Sequence, residues 1–131
     1  MEPSNHRIPF LKFTPGIGWF IVVCFILFLP GHDVPQMGDW LQSIDFDKVI
    51  HMSMFGILIT LFCWPFYKSG ISVKKKHKYF IIIALIGCFW GYSSELIQKY
   101  WANGRDYELL DWVADGLGCF LAYLFSKKVF I

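Results

Sequence analysis

Residues 79–99 read YFIIIALIGCFWGYSSELIQK, and this stretch decides the class of fold. It is apolar over most of its length. As an α-helix rising 1.5 Å per residue it would measure about 32 Å, which matches the hydrocarbon thickness of a bilayer. Apolar stretches of similar length occupy residues 13–29, 48–67 and 108–125. The sequence therefore predicts an all-α, polytopic membrane protein: one domain over residues 1–131, built as a four-transmembrane-helix bundle.

The composition agrees with this class and excludes others. Hydrophobic residues make up 56% of the chain and charged residues 17%, more apolar surface than a soluble domain of this size needs. The net charge of +2 comes from local basic clusters, and no basic stripe alternates with aromatic residues, so a nucleic-acid partner is not expected. The four cysteines fall one in each apolar stretch without C-x-x-C spacing, which predicts inert core thiols: Cys24, Cys63, Cys88 and Cys119.

The basic residues predict an orientation. Residues 68–78 carry five lysines and form the most basic segment, and short cytoplasmic loops collect Lys and Arg, so we expect this loop inside the cell. No small-x-small cleavage site follows the first apolar stretch, so we expect it to remain as an uncleaved helix. An even number of helices then places both termini in the cytoplasm, consistent with Arg7, Lys12, Lys127 and Lys128.

The first outer loop contains a possible surface helix. Within residues 34–45, apolar residues recur at helical spacing: Val34, Met37, Trp40, Leu41 and Ile44. This pattern predicts a short interfacial helix lying on the membrane. It would either plug the outer end of the bundle or cover a site there.

Ionisable residues gather at the predicted outer ends of the second, third and fourth helices. Asp47 and His51 share one face at i, i+4 spacing, and Asp111 and Asp115 do the same. Glu95 lies about one turn inside the third helix. A charge at a helix centre in hydrocarbon costs at least about 2.5 to 3.5 kcal/mol, so several charges at one depth need a partner or a function. The sequence therefore predicts a polar site beneath the outer surface.

Three motifs in this region resemble a known family. They are Asp47-Lys48-x-x-His51-x-x-x-Phe55, Glu95-x-x-Gln98, and Gly104-Arg105 followed by Asp111-x-x-x-Asp115-x-x-Gly118. Together they resemble the VanZ-like membrane proteins, named after a teicoplanin-resistance protein, although many members carry Asn where this chain has Asp115. The resemblance implies a multi-pass protein of the bacterial cytoplasmic (inner) membrane, linked to glycopeptide antibiotic resistance through the cell envelope. It implies no particular reaction, so whether the chain is an enzyme stays open.

The residues themselves support several functional hypotheses. In the first, an outer-leaflet pocket binds the anionic head group of an envelope lipid, such as a cell-wall lipid intermediate, through Lys48, Gln98 and Arg105. The acidic residues and the histidine would then act in one of two ways. His51, Glu95, Asp111 and Asp115 would hold a divalent metal ion that bridges to phosphate, or these four with Asp47 would form a catalytic acid–base cluster.

Two alternatives compete with lipid binding. One is a non-catalytic protein that moves lipids or ions, for which a homodimer packed through Gly87-x-x-x-Gly91 would be expected. The other is a structural role, in which the cluster only holds the ends of three helices together.

Overall fold

The computed structural model describes residues 7–28, 46–101 and 109–131, apart from the side chains of Phe46, Asp47, Gln98, Trp101 and Leu109. Every regular element in these ranges is helical, which confirms the all-α class. The predicted interfacial helix at residues 34–45 lies outside the described residues, as does Arg105. The four long helices are α1 (Thr14–Leu27), α2 (Phe46–Cys63), α3 (Val73–Trp101) and α4 (Leu109–Phe130). A 3-10 turn, Phe10–Phe13, precedes α1, and another, Trp64–Phe66, follows α2.

Three described segments are long and apolar enough to cross a membrane: Phe10–Leu27, Lys48–Phe66 and Val73–Ile97. The outer surface is also apolar, since large side chains such as Phe25, Leu85, Phe89 and Phe120 are more than half exposed. A surface of this kind indicates a membrane protein. Helix α4 has 22 residues, which is long enough to cross a membrane, but it is not among the segments that are also sufficiently apolar. It carries two aspartates near its start and two lysines in its last turn.

Helix α3 begins six residues before the predicted start at Tyr79, so the lysine-rich segment is mostly helix rather than loop. Ser72 caps this start: its hydroxyl accepts from the backbone N–H of Lys75 at 3.4 Å, and its carbonyl accepts from that of Lys76 at 3.0 Å. Lysine has high helix propensity, so nothing in the segment interrupts the helix. For the same reason α4 continues through Lys127 and Lys128 to Phe130, beyond the predicted end at residue 125.

The α2–α4 interface is the most extensive in the described structure, followed by that between α3 and α4. Gly118 permits it, because a Cβ there would overlap the carbonyl oxygen of Met52. The Gly87-x-x-x-Gly91 pattern was expected to support a dimer, but both glycines pack inside the chain. A Cβ on Gly87 would lie 2.9 Å from the Cys119 sulfur, and one on Gly91 would lie 3.0 Å from the Asp115 Cβ. Both glycines thus serve the packing of α3 against α2 and α4 within one chain, and the homodimer stays a prediction.

The two ends of the bundle differ in charge. Aromatic contacts join the start of α1, the α2–α3 connection and the end of α4: Phe13 with Phe66 at 6.2 Å, and Tyr67 with Phe130 at 5.8 Å between ring centroids. We call this the basic end, because it carries Lys12, Lys68, Lys74, Lys75, Lys76, Lys78, Lys127 and Lys128. The start of α2, the end of α3 and the start of α4 meet at the opposite, polar end.

Packing also accounts for the cysteines. Cys63 and Cys119 are buried, Cys24 and Cys88 are half-buried, and all four are free thiols. Cys63 and Cys119 belong to the packed core and Cys88 packs against it, as the sequence predicts.

Candidate polar site between three helices

A buried hydrogen bond between α2 and α4 forms the centre of the site. The Nδ1 atom of His51 lies 2.8 Å from the Asp115 Oδ1 atom. Asp115 is fully buried and His51 is 6% exposed. The bond is possible because both residues face the close α2–α4 interface near Gly118. It fixes the plane of the imidazole ring and directs its other nitrogen towards Asp111.

Asp111 lies on α4, one turn closer than Asp115 to the polar end of the bundle. Its carboxylate contacts the Lys48 ammonium and the His51 imidazole. Its Oδ1 atom lies 2.7 Å from the Nζ of Lys48, and its Oδ2 atom lies 3.7 Å from the Nε2 of His51. The Lys48 side chain is 20% exposed and that of Asp111 is 14% exposed, so this ion pair lies at the rim of the site. The site therefore runs from an accessible lysine to a fully buried aspartate.

Glu95 completes the site from α3 and is fully buried. One ligand atom each from Glu95, His51 and Asp111 lie within 4.8 Å of one another. The adjacent Ser94 is also fully buried, and its hydroxyl donates to the Gly91 carbonyl at 2.8 Å. Three helices thus bring carboxylates and an imidazole to one point, where they could share a proton or ligate a metal ion.

Small and aromatic residues shape the walls. Gly91 makes room for Asp115, whose Oδ2 would lie 3.2 Å from a Cβ at that position. The Trp112 indole donates to the Cys88 carbonyl at 3.2 Å and contacts the Tyr92 ring at 5.6 Å, which joins α4 to α3 beside the acids. The roles of Gly91 and Trp112 were not predicted from the sequence. The role of Gly91 could have been predicted, because it lies four residues before Glu95, on the same face of the helix, and a small residue there lets another helix approach.

The structure brings four predicted site residues together: His51, Glu95, Asp111 and Asp115. Lys48 also belongs to the site, where its ammonium group contacts the Asp111 carboxylate. The side chains of Asp47 and Gln98 lie outside the described residues, and so does Arg105. The predicted roles of those three stay predictions.

An apolar groove begins next to the site, between α2 and α4. It has a volume of about 500 Å³. On α2 its lining starts at Met52 and Ser53, directly after His51, and on α4 it starts at Gly118. Further along, Ile57, Leu61, Leu121 and Phe125 line it. The groove and the polar cluster therefore share one helix pair.

Comparisons with known proteins do not assign the chain to a family. No family model matches the chain, and no solved structure matches it. An uncharacterized protein of Schizosaccharomyces pombe is 34% identical over 80 residues, which cover 61% of this chain and 46% of that protein. The chain thus matches less than half of the length of this eukaryotic relative. These findings lend no support to the VanZ-like resemblance or to a bacterial source, and both stay predictions.

Proposed function

We propose that this chain is an integral membrane protein that binds the anionic head group of a membrane lipid at the polar end of its bundle. In this proposal α4 crosses the bilayer with the other three helices. The basic end faces the cytoplasm, and the polar site lies beneath the outer leaflet. The VanZ-like resemblance would make the lipid a component of the bacterial cell envelope and connect it with teicoplanin resistance.

The observation that carries the proposal is that the polar site and the apolar groove lie on the same pair of helices, α2 and α4, within one helical turn of each other. Lys48 and His51 lie on the first turns of α2, and Met52, Ser53 and Gly56 follow at once on the groove side. From Met52 to Leu61 the groove extends along roughly 13 Å of helix. A ligand that fits both parts must have a charged head and an apolar tail, and this describes a lipid.

The partly exposed ammonium of Lys48 supports an anionic head group. It lies at the rim, where a phosphate could replace or share the Asp111 carboxylate as its partner. Lysine is a compact point charge with three rotatable donors, which suits phosphate oxygens. Binding would neutralise charge at the point where the helix bundle meets the head-group layer.

The proposal can be tested in nanodiscs by native mass spectrometry, with phosphatidylglycerol and phosphatidylcholine in competition. We expect the wild-type chain to retain the anionic lipid preferentially and Lys48→Gln to reduce that preference about ten-fold or more, since a hydrogen bond from an ionised group contributes about 1.5 to 3 kcal/mol, whereas the general attraction of one lysine to an anionic surface contributes about 1 kcal/mol. Lys78→Gln, which removes the same charge at the basic end, is the matched control. Equal effects of the two substitutions, or no preference in the wild type, would exclude the proposed site.

A separate variant tests the groove as the binding site of the lipid tail. Ser53→Phe should fill it and reduce the number of retained lipids of either class, whereas Val113→Phe places the same ring on an exposed α4 position that does not line the groove. If Ser53→Phe retains lipid as the wild type does, the groove is not the tail site.

A further inference from the structure

We propose that His51, Glu95 and Asp111 bind a divalent transition-metal ion at the polar end, and that Asp115 orients the imidazole for this purpose. The metal site stands on the geometry of these four side chains. Only the further step, in which the ion contacts a lipid phosphate, rests on the proposed function.

The three donors come from three different helices and still converge. Their ligand atoms lie within 4.8 Å of one another, and His51 and Glu95 are both buried. Two ligand atoms at about 2.1 Å from one metal ion lie about 3.4 Å apart when the coordination is tetrahedral. The observed 3.7 Å between His51 Nε2 and Asp111 Oδ2 is close to that separation. Small side-chain rotations would complete the coordination.

The hydrogen bond to Asp115 shows how the imidazole would be oriented towards a metal ion. A carboxylate accepts, so the proton of a neutral His51 lies on Nδ1, and Nε2 then presents a lone pair. In this tautomer Nε2 faces the Asp111 carboxylate at 3.7 Å, beyond hydrogen-bond distance. A metal ion between the two atoms would bind both of them, whereas a protonated imidazole would pair with both carboxylates without an ion, and the metal-loading test distinguishes these two states. Carboxylate–histidine–metal triads have this same construction.

The acidic character of the described cluster suits a cation. Glu95, Asp111 and Asp115 place three carboxyl groups around one imidazole, and Glu95 and Asp115 are fully buried. Buried carboxylates are stabilised by nearby positive charge, and a divalent ion at this point would contribute to it.

The donor set narrows the class of ion. One imidazole and two carboxylates suit Zn²⁺, Mn²⁺ or Fe²⁺, whereas Ca²⁺ prefers six to eight oxygen ligands. Three protein ligands leave a coordination position open, which is typical of sites that also bind water or substrate. In the lipid-bound state a phosphate oxygen would occupy that position, with Lys48 close to the same phosphate.

The test uses the full chain without a histidine tag, in nanodiscs, stripped with a chelator and then reloaded with Zn²⁺ or Co²⁺. We expect about one equivalent of metal to remain after desalting, together with visible Co²⁺ absorption bands from a low-symmetry nitrogen–oxygen site. His51→Gln should abolish both signals, and Asp115→Asn, which keeps an acceptor for Nδ1 but removes the carboxylate, should weaken affinity by about 10- to 100-fold without removing a ligand. His77→Gln, at the basic end, is the matched control and should bind as the wild type does.

A wild-type chain that retains less than about a tenth of an equivalent would overturn the metal site. So would normal Co²⁺ spectra in His51→Gln. If that variant fails to fold, the wild-type stoichiometry and spectrum still decide. Metal bound without any preference for phosphatidylglycerol would support the site and refute the proposed lipid function. An anionic preference that survives chelation would support lipid binding and refute the ion as its phosphate contact.

Discussion

Replacing Gly118 with alanine should push α2 and α4 apart. A Cβ at this position would overlap the Met52 carbonyl oxygen and lie 3.1 Å from the Met52 Cα. Ordinary carbon–carbon contacts are about 3.5 to 4.0 Å, so the helices must separate by roughly half an ångström or more. These are backbone atoms within a helix, and no rotation of a side chain relieves the overlap.

The expected cost follows from this geometry. Overpacking of a close interface costs about 1 to 3 kcal/mol. The separation also strains the 2.8 Å bond between His51 and Asp115, which lies on the same two helices within one turn of the contact. Alanine gains about 1 kcal/mol over glycine in helix propensity, so the comparison needs a control with the same gain.

Gly116→Ala is that control, because the nearest atom to its added Cβ would be the Cys88 sulfur at 3.9 Å. Both variants are unfolded in detergent by titration with SDS, and tryptophan fluorescence reports the transition. The measurement gives the difference in their free energies of unfolding directly. We expect Gly118→Ala to be less stable than Gly116→Ala by about 1 to 3 kcal/mol. Equal stability of the two variants would show that α2 and α4 do not approach as closely as described here.

Three further predictions concern the site, the packing of α1 and the topology. Asp115→Asn should stay folded, because an amide oxygen still accepts from His51 Nδ1. Asp115→Ala removes this acceptor and should lose about 3 to 5 kcal/mol of stability in the same SDS titration. Similar losses of stability in the two variants would contradict this role of Asp115. Trp19→Phe removes the 2.9 Å bond from the indole to the Met54 carbonyl and should cost about 0.5 to 1.5 kcal/mol, so an unchanged midpoint would argue against that contact. In a chain whose native cysteines are all replaced by alanine, Lys128→Cys should react with a membrane-impermeant maleimide only after the cells are opened, and labelling of intact cells would reverse the orientation.

Much of the fold follows from the apolar stretches. The helical class could be predicted because each stretch is too long for a strand and long enough for a bilayer. The start of α3 could not be predicted, since Lys74 to Lys78 are all basic and carry no apolar periodicity. Lysine occurs in both loops and helices, and here the Ser72 cap together with lysine's helix propensity favours the helix.

The composition of the site was more predictable than its contacts. Connectivity alone places His51, Glu95 and Asp111 at one end, because α2 and α4 begin where α3 ends. The pairing of Nδ1 with Asp115 and of Nε2 with Asp111 depends on how far each helix is rotated about its axis. That rotation is set by close contacts such as the one at Gly118, and a glycine in the sequence does not identify its neighbour.

The separation of lysines from acids along the bundle has an electrical consequence. In an energised membrane each unit charge moved across 100 mV changes the free energy by about 2.3 kcal/mol. Eight lysines at one end would all have to cross for the chain to invert. The membrane potential would therefore act as an orienting field, holding the lysine-bearing face on the electrically negative side once the helices are inserted.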